Sequence, residues 1–356
     1  MPYKALDADH QWPVPSKLYD PEKGSRQYRD SLDEFQRADE LGYDALVINE
    51  QHSKPNNVTP SPNLVLANLA TRTKKAKFLP YGSILPLHSP LRVAEEYAML
   101  DVMSEGRLLA GFVRGGPSNH LAYSVPPEDT RGLYEEAWEL IVKAWMSDEP
   151  FSWKGKYFHY DTVNIWPKPI QKPHPPIWSA GLTERSIEWA ALKDAGYTRW
   201  LTVNLATKNL FDLYRRFYRQ YHGKDPEPAK LGLARAVYVS DGGDAEAECA
   251  AHYLHFSKGV GAQIESPYRR VPDGRDYYMT GKIFGAAKFT HEQAKKGGLH
   301  VCGTPEEVVE GIKSQQKGMG FGLFIANLNY GDMPHAKAMK NIETFARFVI
   351  PELRSA

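Results

Sequence analysis

Four short segments carry the side chains from which chemistry could be assembled. Glu50-Gln51-His52 places a carboxylate and an imidazole two residues apart, directly after the apolar run Ala45-Leu46-Val47-Ile48. If extended geometry persists, both side chains point the same way. A His–carboxylate pair suits proton transfer near neutral pH, with a purely structural hydrogen-bonded pair as the alternative. Arg114-Gly115-Gly116 follows a second apolar run; arginine supplies a fixed charge and glycine lets the backbone approach, which is what an anionic ligand needs. Gly181-Leu182-Thr183-Glu184-Arg185-Ser186 reads as a glycine turn feeding a helix N-terminus, whose N–H groups, dipole and hydroxyls suit a phosphate. The plainer reading is that Thr183 and Ser186 only cap that helix. His120 and Tyr123 follow the Arg114 loop and either face a substrate or pack within a polar loop. His88 and His120 complete no recognisable ligand set and Cys302 has no evident base, so no metal is expected and Cys302 reads as structural.

The elements that must position these residues alternate. Leu32, Phe35, Ala38 and Leu41 have helical spacing and stop at Gly42; the strand 45–48 follows. A helix over Asn63–Thr71 leads to a strand over Phe78–Ile84, and Ser89-Pro90 starts a third helix that Gly106 ends. Strand Leu108–Val113, helix 130–146 and a Pro- and aromatic-rich insertion near 148–175 come next. The rhythm resumes with strand 176–180, helix Thr183–Lys193, strand Thr198–Val203, helix 207–221, strand Leu231–Val239 and helix Asp244–Phe256. Residues 257–300 lose the pattern, as a functional loop or lid would. Thr304-Pro305-Glu306-Glu307 starts another helix, and strand Phe321–Ala326 and an amphipathic helix 335–350 close the chain. Seven strands are legible and an eighth is needed from residues 3–7. Alternating βα units in that number predict a single (β/α)8 TIM-barrel domain over 1–356, with a doubly wound open sheet as the competing topology. No GxGxxG follows the first strand, which counts against a dinucleotide-binding domain.

Composition narrows the partners. The 356 residues carry 44 Lys plus Arg against 43 Asp plus Glu, a net charge of +1, which offers no electrostatic footing for nucleic acid or an anionic membrane. No apolar run is long enough to span a bilayer and the N-terminus lacks the pattern of a signal peptide. With only two cysteines, Cys249 and Cys302, and no pairing signature, a cytoplasmic location is expected.

Taken together, ADELGYDALVINEQH, LPLHSPLRVAEEYAMLDVMSEGRLLAGFVRGG, PPIWSAGLTERSIEWAALKDAGY and the terminal GDMPHAKAMKNIETFARFVIPEL resemble the bacterial-luciferase-like, flavin-dependent monooxygenases, in the FMN-using branch. The resemblance implies a barrel that holds reduced FMN at the C-terminal ends of its strands. By matching position, Arg114 would contact the flavin phosphate or ring edge with Val113 beside the ring. The turn of Gly181, Leu182, Arg185 and Ser186 would take the phosphate, and Tyr81-Gly82 matches a non-proline cis peptide that lies against the flavin. Glu50 corresponds to an acidic residue near the ring and His52 to a pocket histidine. Luciferase has a catalytic histidine where this chain has Gln51, and glutamine exchanges no proton, which argues against light emission.

The activity implied is that of a two-component monooxygenase. Reduced FMN from a separate flavin reductase would react with O2 through a flavin hydroperoxide, while His52, oriented by Glu50, manages a proton. A homodimer or homotetramer is expected, acting on a small organic molecule. Two other readings remain open on the same residues: a deazaflavin-dependent hydride-transfer enzyme, and a flavin-binding protein without catalysis.

Overall fold

The computed structural model describes residues 15–53, 57–240, 242, 247–253 and 289–355. In chain order these form α1 (Pro21–Glu40), β1 (Ala45–Ile48), α2 (Pro62–Arg72), β2 (Lys77–Pro80), β3 (Ser83–Ile84), α3 (Pro90–Met103), β4 (Ala110–Val113), α4 (Pro117–Ala122) and α5 (Thr130–Met146). There follow β5 (Phe151–Lys154), β6 (His159–Val163), β7 (Ile177–Ala180), α6 (Glu184–Leu192), β8 (Gly196–Arg199), α7 (Asn204–His222) and β9 (Leu231–Val239). A helical run over 247–253 (α8) precedes α9 (His291–Lys296), β10 (His300–Gly303), α10 (Pro305–Met319), β11 (Leu323–Asn327), α11 (His335–Thr344) and α12 (Ile350–Arg354). Two compact units result, one of residues 44–53 and 57–181, the other of the remaining described residues. Among the described residues no helix is long and apolar enough to cross a membrane.

In the 44–181 unit, β1 pairs in parallel with β2, β3 with β4, and β4 with β7. Parallel pairing puts the C-terminal ends of all these strands along one edge, so Glu50, Tyr81, Arg114 and Gly181 each emerge on that edge. The strands approach closely between β2 and β4. A Cβ on Gly111 would lie 1.9 Å from the Pro80 carbonyl oxygen, and one on Gly82 would lie 2.8 Å from the Gly111 backbone. The Tyr81–Gly82 peptide between β2 and β3 is cis, as the resemblance implied.

Aromatic rings fasten helices to this sheet. Phe112 on β4 packs against Tyr97, Trp138 and Trp145 at ring-centroid distances of 5.8, 5.0 and 5.9 Å. Each such fully buried ring contributes about 1.5–3 kcal/mol through its apolar area. Their polar atoms are satisfied: the Tyr97 hydroxyl bonds Ser83 Oγ and the Gly111 carbonyl at 2.9 Å, and Trp145 Nε1 donates to the Ala94 carbonyl at 2.9 Å.

In the second unit β9 pairs in parallel with β8, β10 and β11, and all nine of its residues are buried, as expected of a strand covered on both faces. Tyr197, Phe211, Tyr214, Leu231, Leu233 and Phe321 pack into one core. The start of α10 has the expected chemistry. Thr304 Oγ1 accepts from the Glu307 backbone, the Glu307 carboxylate accepts from the Thr304 backbone, and Gly320 in a left-handed conformation closes the helix.

Several expectations need correction. The strand placed over Thr198–Val203 is Gly196–Arg199, because Leu201 adopts a positive φ of 59° that breaks extension, and the next helix starts at Asn204. Ser89 occupies the N-cap of α3 with Pro90 at the first turn, but its hydroxyl makes no cap bond and lies 3.3 Å from the Tyr160 hydroxyl. The 148–175 insertion contains an antiparallel hairpin, β5–β6, that its prolines and aromatics concealed. The closing helix is interrupted by a π-helical turn, Phe345–Val349, one residue before the start of a helix containing Pro351. Proline has no N–H for the i−4 carbonyl, so the regular ladder cannot pass through that point. Within 257–300, residues 289–300 carry α9 and the start of β10, and 257–288 lie outside the described residues. So do the strand expected over 3–7 and the ends of the helix expected over Asp244–Phe256.

Candidate active site

The centre of the site is Glu50, two residues past β1 and 4% exposed. Its Oε1 accepts hydrogen bonds from His52 Nε2 at 2.6 Å and His88 Nε2 at 2.8 Å, while Oε2 accepts from the Ile84 backbone N–H at 3.3 Å. Burial opposes its ionisation, but the two imidazole hydrogen bonds outweigh burial and hold the carboxyl below its ordinary range. Glu50 is therefore an anion at neutral pH.

An ionised carboxylate only accepts, which fixes the proton of each neutral imidazole on Nε2. His52 Nδ1 is then an acceptor, and the Tyr123 hydroxyl lies 3.0 Å from it. The two rings meet edge to face with centroids 4.7 Å apart. Tyr123 is 47% exposed, and burial of its ring followed by the Glu50 charge pushes its hydroxyl pKa up, so it remains a donor. The result is a chain of groups, Tyr123–His52–Glu50–His88, running from solvent to a buried anion. Its basic atom is His52 Nδ1. One ligand atom each of Glu50, His52 and His88 lies within 4.8 Å of the others, so the trio also has the composition of a metal-ligand set.

Arg114, at the end of β4, donates from Nη1 to Thr130 Oγ1 at 3.1 Å. Its carbonyl accepts from His120 Nε2 at 2.8 Å. His120 is fully buried, and desolvation followed by the Arg114 charge lowers its pKa to about 4. Its burial matches the alternative of packing within its own polar loop; as a neutral ring it holds the Arg114–Gly115 turn. Gly115 needs its identity there, having φ 82° and an ideal Cβ position only 2.5 Å from Ile84 Cγ2. On the adjacent helix α4, Asn119 Oδ1 is buried without a hydrogen-bond partner among the described residues.

Tyr81 donates its hydroxyl to the Ser179 carbonyl at 3.0 Å and its backbone N–H to the Ile48 carbonyl at 2.6 Å, tying the cis peptide to β7 and β1. Val113, half-buried, pairs with Ile84. Gly181 ends this unit, whereas Leu182, Arg185 and Ser186 belong to the other. There Thr183 caps α6, its Oγ1 accepting from the Ser186 N–H at 3.3 Å and lying 2.7 Å from Ser186 Oγ. The capping reading of these hydroxyls is thus met, and Arg185 stands exposed beside them. Gln51 is half-buried, its N–H donating to the Thr59 carbonyl at 3.0 Å.

The structure therefore brings Glu50, His52 and Tyr123 together and adds His88, which the sequence had left without a role. The only signal for His88 was its place just after the strand that follows the cis peptide. Thr130, the anchor of Arg114, had none.

A family model described as luciferase-like monooxygenase matches residues 12–321, through both units. The chain is 26% identical over 341 residues to the oxygenase component of flavin-dependent trigonelline monooxygenase from Acinetobacter baylyi, covering 94% of this chain and 92% of that one. It superposes on the oxygenating constituent of 3,6-diketocamphane monooxygenase from Pseudomonas putida, a type II Baeyer–Villiger monooxygenase in complex with FMN. The TM-score is 0.75 at 19% identity, over 99% and 98% of the two chains. An F420-dependent secondary alcohol dehydrogenase shares the fold with TM-score 0.70 and 18% identity, over 92% and 95%. These likenesses show the luciferase-like α/β fold, the (β/α)8 class expected from the sequence.

Proposed function

The chain belongs to the luciferase-like monooxygenase family, and from that premise we propose that it is the oxygenase component of a two-component system. It would use reduced FMN, supplied by a separate flavin reductase, and O2 to oxidise a small organic substrate. Flavin-dependent monooxygenation is the activity named for the Acinetobacter relative, and the Pseudomonas neighbour carries FMN.

The residues present fit such a cofactor. The cis Tyr81–Gly82 peptide, Val113 and Arg114 lie along the strand-end edge, and Asn119 Oδ1 nearby is a buried acceptor that a ligand N–H would satisfy. We assign Tyr81, Gly82, Val113 and Arg114 to the flavin, with the guanidinium as the fixed positive charge beside it. When bound, reduced FMN supplies the two electrons that divide O2 between the oxidised substrate and water.

The observation that carries the reading is the 2.6 Å contact between His52 Nε2 and the buried Glu50 carboxylate. With Nε2–H held by the carboxylate, Nδ1 is presented as the atom that takes a proton, and the resulting imidazolium is stabilised by the adjacent anion. Tyr123 donates to that Nδ1 and moves aside or passes a proton when the reaction requires it. His88 shares the same carboxylate oxygen and helps keep it ionised.

His52→Ala tests this assignment. Substrate-dependent oxidation should fall by about 10²–10⁴-fold, the usual contribution of a positioned acid–base group, while reduced FMN still binds. Full turnover in that variant sinks the assignment. Substrate turnover in the absence of O2 would instead favour the hydride-transfer chemistry found on the same fold.

A further inference from the structure

Apart from the Glu50 site, the chain's two cysteines come together. Cys249 lies on α8, and His300 and Cys302 lie two apart on β10, so the latter two side chains leave the strand on one face. One ligand atom from each of the three lies within 4.8 Å of the others, and the residues are 0%, 2% and 5% exposed. Ala236, Met333 and Ala338 surround the cysteines together with Tyr238 and Tyr330. His300 Nε2 is 2.6 Å from the Tyr330 hydroxyl, and His300 Nδ1 is 3.3 Å from Nδ1 of His291 at the start of α9.

We propose that Cys249, His300 and Cys302, with His291 as fourth ligand, form a zinc site. Thiolate and imidazole are the donors of a borderline-soft ion, while magnesium, calcium and manganese prefer oxygen. Charge selects among the soft ions. Two thiolates and a divalent cation are neutral, which an apolar enclosure tolerates, whereas a monovalent ion would leave a buried negative charge.

Geometry supports His291. Two nitrogens on one tetrahedral zinc, each about 2.0–2.1 Å from it, stand about 3.3–3.4 Å apart, and the two Nδ1 atoms already have that separation. Tyr330 would keep its bond to His300 Nε2, the partner that orients a ligating imidazole. The three-residue cluster must tighten by up to about 1 Å for sulfur atoms to reach bonding distance of about 2.3 Å, and His291, outside that group of three, must close in on the sulfurs with it. With four protein ligands the site is closed, so its role is to tie α8 and α9 to β10 and not to catalyse.

The test uses the full chain, stripped of metal and kept reduced, titrated with Zn2+ alone. One equivalent should bind in competition with a chromophoric chelator, and the Co2+ form should show thiolate-to-metal charge-transfer absorption. Because the chain has only two cysteines, alkylation of the unmodified protein reads this site alone, and zinc should slow it at least tenfold. Cys249→Ser and Cys302→Ser should each lose the bound equivalent. The proposal is overturned by no binding, by alkylation rates indifferent to zinc, or by an equivalent that survives both serine variants. Loss of that equivalent in Glu50→Gln instead would assign the metal to the other trio.

Discussion

Two buried glutamates show how the same side chain is given opposite tasks. Glu50 and Glu34 are 4% and 7% exposed, and each binds a histidine. Glu34 accepts from Asn329 Nδ2 at 2.8 Å and His335 Nδ1 at 2.9 Å. Burial is the largest influence on both carboxyls and acts upward on both. At Glu50 the hydrogen bonds and charges of two imidazoles overcome it and the pKa falls; at Glu34 one imidazole and an amide do not, Asp30 adds repulsion, and the pKa rises. A second imidazole thus separates a carboxyl held below its ordinary range from one pushed above it.

The largest expected effect comes from breaking the anion itself. Glu50→Gln leaves the shape but lets the new amide N–H₂ face His52 Nε2. The ring then carries its proton on Nδ1, and the basic atom is lost. Oxidation should fall by about 10²–10⁴-fold, comparably to His52→Ala. Steady-state rates under saturating reduced FMN measure this; a fall of less than about tenfold would show that the tautomer does not matter.

The pH dependence of stability should separate the two glutamates next. Glu50, with its folded pKa depressed, contributes stability that is present above the ordinary carboxyl value of 4.5 and lost as pH falls through its folded value. Glu34, with its folded pKa raised, does the reverse: its contribution is complete below 4.5 and lost as pH rises through its higher folded value. His335 is also raised, chiefly by its bond to Glu34, so that pair takes up protons on folding. Denaturant unfolding between about pH 2 and pH 8 should show Glu50→Gln flattening the loss below pH 4.5 and Glu34→Gln removing an opposing slope above it. Each tenfold change in a carboxyl's proton affinity on folding is worth about 1.4 kcal/mol. Identical profiles for the two variants would refute the contrast.

What the sequence disclosed follows from the range of the forces involved. Helix boundaries were legible where local chemistry sets them, as at Thr304 with Glu307. The strands over 45–48, 108–113, 176–180 and 231–239 were legible as near-continuous apolar runs, whereas the one over 198–203 was displaced to Gly196–Arg199. β10 was not, since His300-Val301-Cys302-Gly303 resembles no such run and its place is set by pairing with distant β9. Glu50 and His52 could be paired from spacing alone. His88 and Tyr123 reach them only through tertiary placement, at sequence separations of 38 and 71 residues from Glu50 and His52 respectively. Spacing left His120 open between two places, and its burial against the Arg114 carbonyl is the kind of tertiary fact that spacing does not carry.

Tyr123→Phe tests the outer end of the relay and should have a smaller effect. It removes the donor at His52 Nδ1 while leaving the ring contact and the Glu50 bond in place. Because Tyr123 is nearly half exposed, water can replace its hydroxyl, so the oxidation rate should drop by about tenfold or less and stability by no more than about 1 kcal/mol.

The smallest effect belongs to Glu34→Gln. Its partners can both adapt: Asn329 presents its carbonyl oxygen by rotating the amide, and His335 accepts at Nδ1 by moving its proton to Nε2. The variant also removes a carboxyl whose ionised form burial disfavours. Stability at pH 7 should therefore change by less than about 1 kcal/mol, and substrate oxidation not at all. A loss of oxidation matching that of Glu50→Gln would mean that the two buried carboxyls are not distinguished by their number of imidazole partners.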